Sequence, residues 1–221
     1  MTNQRVFIFA NGLLPQTEWI KNEIQSSDLL IAADGGLNHL QSLDLPPYLL
    51  IGDLDSVTSD QVDWAKAKGS QVDRYPVAKD ETDLELALLA AKKMGANEII
   101  IVAGLGGRLD QTLGNLSLLR MEELQDCQVR FEDGLEEVFL IRGEAEIQGQ
   151  PGDIVSLLPL WGMAEGVTTE SLSYPLLGET LYPEHTRGIS NVMAMPAARV
   201  KLTSGELLCI HTHNPLSIQK E

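Results

Sequence analysis

Short apolar runs alternate with helical stretches from residue 5 to about residue 124, the pattern that a parallel sheet with crossover helices requires. Runs at 6–10, 29–33, 48–51, 71–75 and 98–103 predict strands, several continuous enough to be buried on both faces. The stretches between them are amphipathic. The clearest helix is predicted over 83–94, where Leu84, Ala87, Leu88 and Ala91 recur at three- and four-residue spacing. Thr82-x-x-Glu85 offers it a capping box and Gly95 a stop. A second helix is predicted over 109–124.

After about Cys127 the pattern changes to short alternating runs, at 138–142, 154–158 and 200–202, punctuated by glycine and proline. Ser204-Gly205 predicts a hairpin turn. The expectation is an α/β N-terminal domain with a mostly parallel sheet over 1–130 and an all-β antiparallel sandwich over 131–221, the join lying near 126–136. No repeat or low-complexity tract interrupts the chain. The join lacks a Pro- or Ser-rich linker, so the two parts are expected to pack closely.

Over its 221 residues, hydrophobic residues make up 43% and charged residues 22%, ordinary globular usage, and no apolar run approaches a bilayer span. A membrane protein is therefore not expected. The first ten residues carry one positive side chain and a hydrophobic run too brief for a signal peptide, which predicts a cytoplasmic protein. Cys127 and Cys209, with no CxxC spacing, read as reduced thiols. Sixteen basic against thirty-two acidic residues give a formal charge of −16, which excludes a broad nucleic-acid footprint. An anionic small molecule can still bind where a divalent cation or an arginine reverses the field.

Three predicted strands end in polar turn motifs: Asp34-Gly35-Gly36, Gly52-Asp53-Leu54-Asp55-Ser56 and Gly104-Leu105-Gly106-Gly107-Arg108. Ligands of open parallel sheets sit outside the carboxyl ends of the strands, so these motifs converge on one rim. Asp53 and Asp55 point to the same side if the chain stays extended, and their oxygens suit Mg²⁺; alternatively they form Asx turns or cap the next helix. Lys79-Asp80-Glu81-Thr82-Asp83 leads into the best helix, where Asp83 reads first as a cap and Asp80 as the better functional candidate. The glycine-rich turn can cradle phosphate while Arg108 clamps it, although Arg108 and Asp110 can also form a surface pair. It is neither a Walker A loop nor a dinucleotide fingerprint, which disfavours a nicotinamide oxidoreductase. Six aspartates on one rim would repel a polyphosphate without metal ions, so electrostatics also implies Mg²⁺. His211 and His213 can share a strand face but lack further metal ligands nearby in sequence; with His39 and His185 they read as structural or solvent-facing.

These motifs, in this order, resemble those of thiamine pyrophosphokinases (thiamine diphosphokinases). Farther on, Leu172-Ser173-Tyr174-Pro175-Leu176 and Gly188-Ile189-Ser190-Asn191 resemble segments of that family's C-terminal domain, so the likeness covers nearly the whole chain. Gln111 and Gly114 stand where many relatives have histidine and alanine, and Val192 where an acidic residue is frequent. The resemblance implies transfer of a diphosphoryl group from ATP to thiamine, and a homodimer with thiamine bound at the subunit interface. It further implies metal binding by Asp53, Asp55 and Asp80, and catalytic roles for Asp34, Asp55, Asp80, Asp83 and Arg108. ATP contacts are implied for Gly35, Thr82, Gly104, Gly106, Gly107, Arg108 and Asp110, and thiamine contacts for Tyr174, Ser190 and Asn191. Which carboxylate accepts the hydroxyl proton stays open among Asp34, Asp53, Asp80 and Asp83. Two other readings are a diphosphokinase acting on another alcohol, such as a hydroxymethylpterin, and a non-catalytic nucleotide- or thiamine-binding sensor.

Overall fold

The computed structural model describes residues 4–213, and the chain divides into two compact units, one through Asp133 and the other from Gly134. In the first unit, strands β1 (Gln4–Phe9), β2 (Leu29–Ala33), β3 (Leu49–Gly52), β4 (Gln71–Arg74), β5 (Ala96–Val102) and β6 (Gln128–Glu132) form one parallel sheet in the order β6-β5-β1-β2-β3-β4. The chain leaves β1 in one direction and returns to its other side at β5. That reversal is a topological switch point, where a crevice opens beyond the strand ends. β6 completes this sheet and runs past residue 130, so the first unit extends a few residues beyond the expected limit.

Crossover helices are α1 (Thr17–Glu23), α2 (Gly36–Ser42), α3 (Ser59–Ala67), α4 (Asp83–Lys93) and α5 (Leu109–Leu118). Val6, Phe7, Ile8 and Phe9 are all fully buried, as a central parallel strand covered on both faces must be. Phe7 and Phe9 pack with Ile20, Leu37, Leu40 and Ala65 of the helices, each Phe, Ile or Leu side chain contributing about 1.5–3 kcal/mol by burial. α4 packs over β2, β3 and β5 through Leu84, Leu88 and their neighbours. Thr82 caps it, Oγ1 accepting from Glu85 N at 3.2 Å. The second expected helix is shorter than its pattern: α5 stops at Leu118, Met121 turns extended, and a 3₁₀ turn follows at Glu122–Leu124. Glu122 and Glu123 would oppose the dipole at a helix C-terminus but suit the start of a new turn.

The second unit is a two-sheet sandwich. Strands β7 (Glu136–Ile141), β9 (Ile154–Leu158), β12 (Asn191–Val192) and β14 (Leu207–Thr212) form one antiparallel sheet in the order β12-β9-β14-β7. β8 (Glu144–Gln148), β10 (Ala164–Glu170), β11 (Leu177–Leu181) and β13 (Ala197–Lys201) form the other, in the order β11-β10-β13-β8. Val155, Leu157, Leu207 and Cys209 of the first sheet meet Ile147, Val167, Ala198 and Val200 of the second in one core. Ser204-Gly205 is indeed a turn, with Gly205 at φ +83°, but it is not a hairpin. β13 and β14 belong to different sheets, so it carries the chain across the sandwich.

Candidate active site

A cavity of about 660 Å³ opens at the carboxyl ends of the parallel strands. Its wall takes Ala10 to Leu13 after β1, Asp34 after β2, Asp53, Asp55 and Ser56 after β3, Lys79 and Thr82 to Leu84 at the start of α4, and the β5–α5 turn. Two of these positions, Asp34 (φ +44°) and Ala103 (φ +54°), and Leu54 (φ +63°) between Asp53 and Asp55 are non-glycine residues in the left-handed region. Backbone strain of about 1–3 kcal/mol at such positions persists only where the surroundings hold it.

Oxygen atoms of Asp34, Asp53 and Asp83 lie within 4.8 Å of one another. Gly52, at φ +142°, allows this: a Cβ there would stand 2.9 Å from Asp83 Oδ1 and 3.1 Å from Asp34 Cβ. Lys79 Nζ sits among the acids, 2.9 Å from Asp83 Oδ1 and 3.4 Å from Asp53 Oδ2. Burial works against its ammonium, but Asp83 and Asp53 outweigh that and its pKa is raised. Burial likewise raises the Asp83 pKa; Lys79 opposes the shift, while the charges of Asp53 and Asp34 add to it. Asp83 Oδ1 is buried, and Lys79 approaches it without the alignment of a hydrogen bond. A cluster of hard oxygen donors with one such atom fits a divalent cation of the Mg²⁺ kind.

The trio drawn together is not the expected Asp53, Asp55 and Asp80. Leu54 turns left-handed, so the chain between Asp53 and Asp55 is not extended, and the alternation that would align the two carboxylates is lost. Asp55 lines the cavity, exposed, with its N–H donating to Asp53 Oδ1 at 3.2 Å and its Oδ1 accepting from Ser56 Oγ at 3.0 Å. Asp80 is exposed in the turn before α4 and does not line the cavity. Asp83, which reads first as a cap, is the residue of that motif that joins the cluster.

Gly104, Gly106, Gly107 and Arg108 also line the cavity. Asn115 Nδ2, buried on α5, donates to Gly104 O at 2.7 Å and fixes that turn. Arg108 makes a two-pronged pair with Asp110, Nε to Oδ1 at 3.1 Å and Nη2 to Oδ2 at 2.5 Å, both side chains exposed. Asp110 lies outside the lining, and so does Gly35, the N-cap of α2. Asn11 and Gly12 after β1 also line the cavity, although no motif singles them out; an Asn-Gly pair closing the first strand is the signal the sequence offers. Gly12 N donates to Ala103 O at 2.7 Å, joining the loops on either side of the switch point.

In the second unit Asn191 is buried. Its Oδ1 accepts from Tyr174 N at 2.9 Å and its Nδ2 donates to Tyr174 O at 2.6 Å. Its amide therefore holds the Tyr174 main chain. The Tyr174 side chain is 62% exposed, and Ser190, exposed at φ +57°, donates its N–H to Ser156 Oγ at 3.0 Å.

Two family models match the chain: "Thiamin pyrophosphokinase, catalytic domain" over residues 20–131 and "Thiamin pyrophosphokinase, vitamin B1 binding domain" over residues 144–207. A thiamine pyrophosphokinase of Bacillus subtilis is 27% identical over 186 residues, 83% of this chain and 87% of that protein. The crystal structure of thiamine pyrophosphokinase from Bacillus subtilis superposes with a TM-score of 0.85 at 25% identity, covering 96% of this chain and all of that one. The yeast thiamin pyrophosphokinase structure shares the fold, with a TM-score of 0.80 at 16% identity over 96% of this chain and 87% of the other.

Proposed function

The chain belongs to the thiamin pyrophosphokinase family, and from that premise we infer that it transfers the diphosphoryl group of ATP to the hydroxyethyl oxygen of thiamine, giving thiamine diphosphate and AMP. The observation that carries this reading is the Asp34, Asp53 and Asp83 cluster sharing one cavity at the switch point with a glycine-rich turn and Arg108. The vitamin B1 binding match over 144–207 favours thiamine over a pterin as acceptor.

Attack is at the β-phosphorus, and AMP departs. Asp34, Asp53 and Asp83, with Asp55 beside them, would hold Mg²⁺, which when bound neutralises polyphosphate charge and the charge that develops on transfer. The Gly104 to Gly107 backbone and Arg108 hold phosphate oxygens, Arg108 exchanging its partner Asp110 for phosphate. Lys79 keeps Asp53 and Asp83 together. One of the cluster carboxylates accepts the hydroxyl proton late in the transition state. Tyr174 and Ser190 offer an aromatic face and a hydroxyl to thiamine, and Asn191 keeps Tyr174 in place.

A homodimer is proposed from the family resemblance, and Tyr174, Leu177, Ile189 and Met195 are large apolar side chains that the second unit leaves exposed. Two free thiols and dependence on ATP favour the cytoplasm. Among the described residues no helix is long and apolar enough to cross a membrane.

The test is to incubate the purified protein with ATP and thiamine, with and without Mg²⁺, and to quantify AMP and thiamine diphosphate. Equal, Mg²⁺-dependent yields are expected. AMP without thiamine diphosphate would point to another acceptor or to hydrolysis, and neither product despite ligand binding would make the chain a sensor.

A further inference from the structure

His211 and His213 are two residues apart, the spacing that puts side chains on one face of a strand. The third ligand that their sequence neighbourhood lacks comes from a distant one: Asp153, just before β9. Its Oδ2 lies 3.0 Å from His211 Nε2 and 3.8 Å from His213 Nδ1, and one ligand atom from each residue fits within 4.8 Å of the other two. We propose that Asp153, His211 and His213 bind a borderline divalent transition ion of the Zn²⁺ class, with water in the fourth position.

Zn–N and Zn–O bonds of about 2.0–2.2 Å set tetrahedral ligand atoms roughly 3.4 Å apart, so the two short separations bracket the required value. Two imidazoles and one carboxylate suit Zn²⁺, whereas Mg²⁺ favours oxygen donors. His211 and Asp153 are buried, and the His213 side chain is 31% exposed, which gives the ion an entry and leaves room for water.

The surroundings match a ligating histidine. Glu137, the cross-strand partner of His211 in β7, places Oε2 3.7 Å from His211 Nδ1, a buried nitrogen without a hydrogen-bond partner. A carboxylate behind the far nitrogen of a metal-bound imidazole is the usual outer partner. Asp153 Oδ2 also accepts from Gln150 N at 2.8 Å, which fixes the carboxylate. Gly149 passes over the pair: a Cβ there would meet Asp153 Oδ2 at 2.7 Å and His211 Nε2 at 2.8 Å, so the close approach itself requires glycine. A simple Asp153–His211 hydrogen bond does not account for His213 Nδ1 beside the same carboxylate oxygen. The ion would fix the turn at 149–153, whose Asp153 carbonyl accepts from Met193 N at 2.8 Å, two residues from Asn191.

The full-length protein, stripped with chelator, should be titrated with Zn²⁺ against a chromophoric chelator in excess Mg²⁺, which occupies carboxylates and leaves imidazoles free. One equivalent of Zn²⁺ is expected to bind. His213→Ala, at a partly exposed position, should weaken it at least about 100-fold and Glu137→Gln about 10–100-fold. Asp53→Asn should leave it unchanged. Co²⁺ in place of Zn²⁺ should give a tetrahedral visible spectrum in the parent protein and in Asp53→Asn. Should His213→Ala fail to fold by circular dichroism, His213→Gln replaces it. Absence of the tetrahedral spectrum, equal Zn²⁺ affinity without His213, or loss of binding in Asp53→Asn would each overturn the proposal.

Discussion

Lys79 Nζ stands 2.9 Å from Asp83 Oδ1, an ion pair that bridges the turn leading into α4 and is largely withdrawn from water. The same ammonium reaches Asp53 on another strand end, so it is the cation that permits three aspartates to share one rim before any ion enters. Replacing it with an isosteric apolar side chain removes a positive charge from both the cation and the nucleotide sites. Lys79→Met should therefore bind Mg²⁺ more tightly in the absence of nucleotide while raising the KM for ATP. Each change should be roughly tenfold, equivalent to about 1.4 kcal/mol. Calorimetric Mg²⁺ titration and steady-state kinetics measure the two; a KM for ATP that falls would refute the charge assignment.

Asp55 separates function from folding. It is exposed and bonds only to near neighbours in its turn, so its carboxylate does little for the packed state. It nevertheless lines the cavity beside Asp53. Asp55→Asn should lower kcat about 100-fold or more while unfolding free energy stays within about 0.5 kcal/mol. Urea denaturation alongside turnover checks this, and an unfolded or fully active variant would contradict it.

Five of the six strands of the first unit are legible, the central ones because a parallel sheet buried on both faces writes itself as continuous apolar runs, as in Val6 to Phe9, whereas β6, with Gln128, Arg130 and Glu132 alternating, is missed. The rim motifs are legible because strand ends must turn, and turns select glycine and aspartate. What the chain pattern hides is geometry across distance. Whether Asp80 or Asp83 meets Asp53 depends on how α4 approaches β3, and the left-handed Leu54 that ends the alternation leaves no mark in residue type. In the second unit β8, β10 and β11 escape the pattern because they are rich in glutamate, threonine and glycine, with burial on one side only. Asp153 cannot be joined to His211 from sequence, 58 residues away, because only the pairing of β9 with β14 brings them together.

Arg108 tests the phosphate wall. Its guanidinium already makes two parallel bonds to Asp110, the geometry it would offer to a phosphate. Lysine keeps the charge but not the fork. Arg108→Lys should raise the KM for ATP about tenfold and leave the KM for thiamine and the melting temperature unchanged, since both members of the pair are exposed. A rise in the thiamine KM alone would move Arg108 out of the nucleotide site.

Asn191 and Tyr174 divide positioning from contact. Truncating Asn191 removes two bonds to the Tyr174 main chain, each with a net contribution of about 1 kcal/mol, and frees the segment that presents the ring. Asn191→Ala should therefore lower stability by about 2 kcal/mol and raise the KM for thiamine. The Tyr174 ring is 62% exposed, so Tyr174→Ala should change stability by less than about 0.5 kcal/mol and still raise the thiamine KM about tenfold. If the ring is the contact, Tyr174→Phe retains most of the affinity; if the hydroxyl is, Phe behaves as Ala does. Thiamine kinetics at saturating ATP, paired with urea denaturation, read both quantities. An Asn191→Ala protein that loses stability but keeps its thiamine KM would make the clamp a purely structural element.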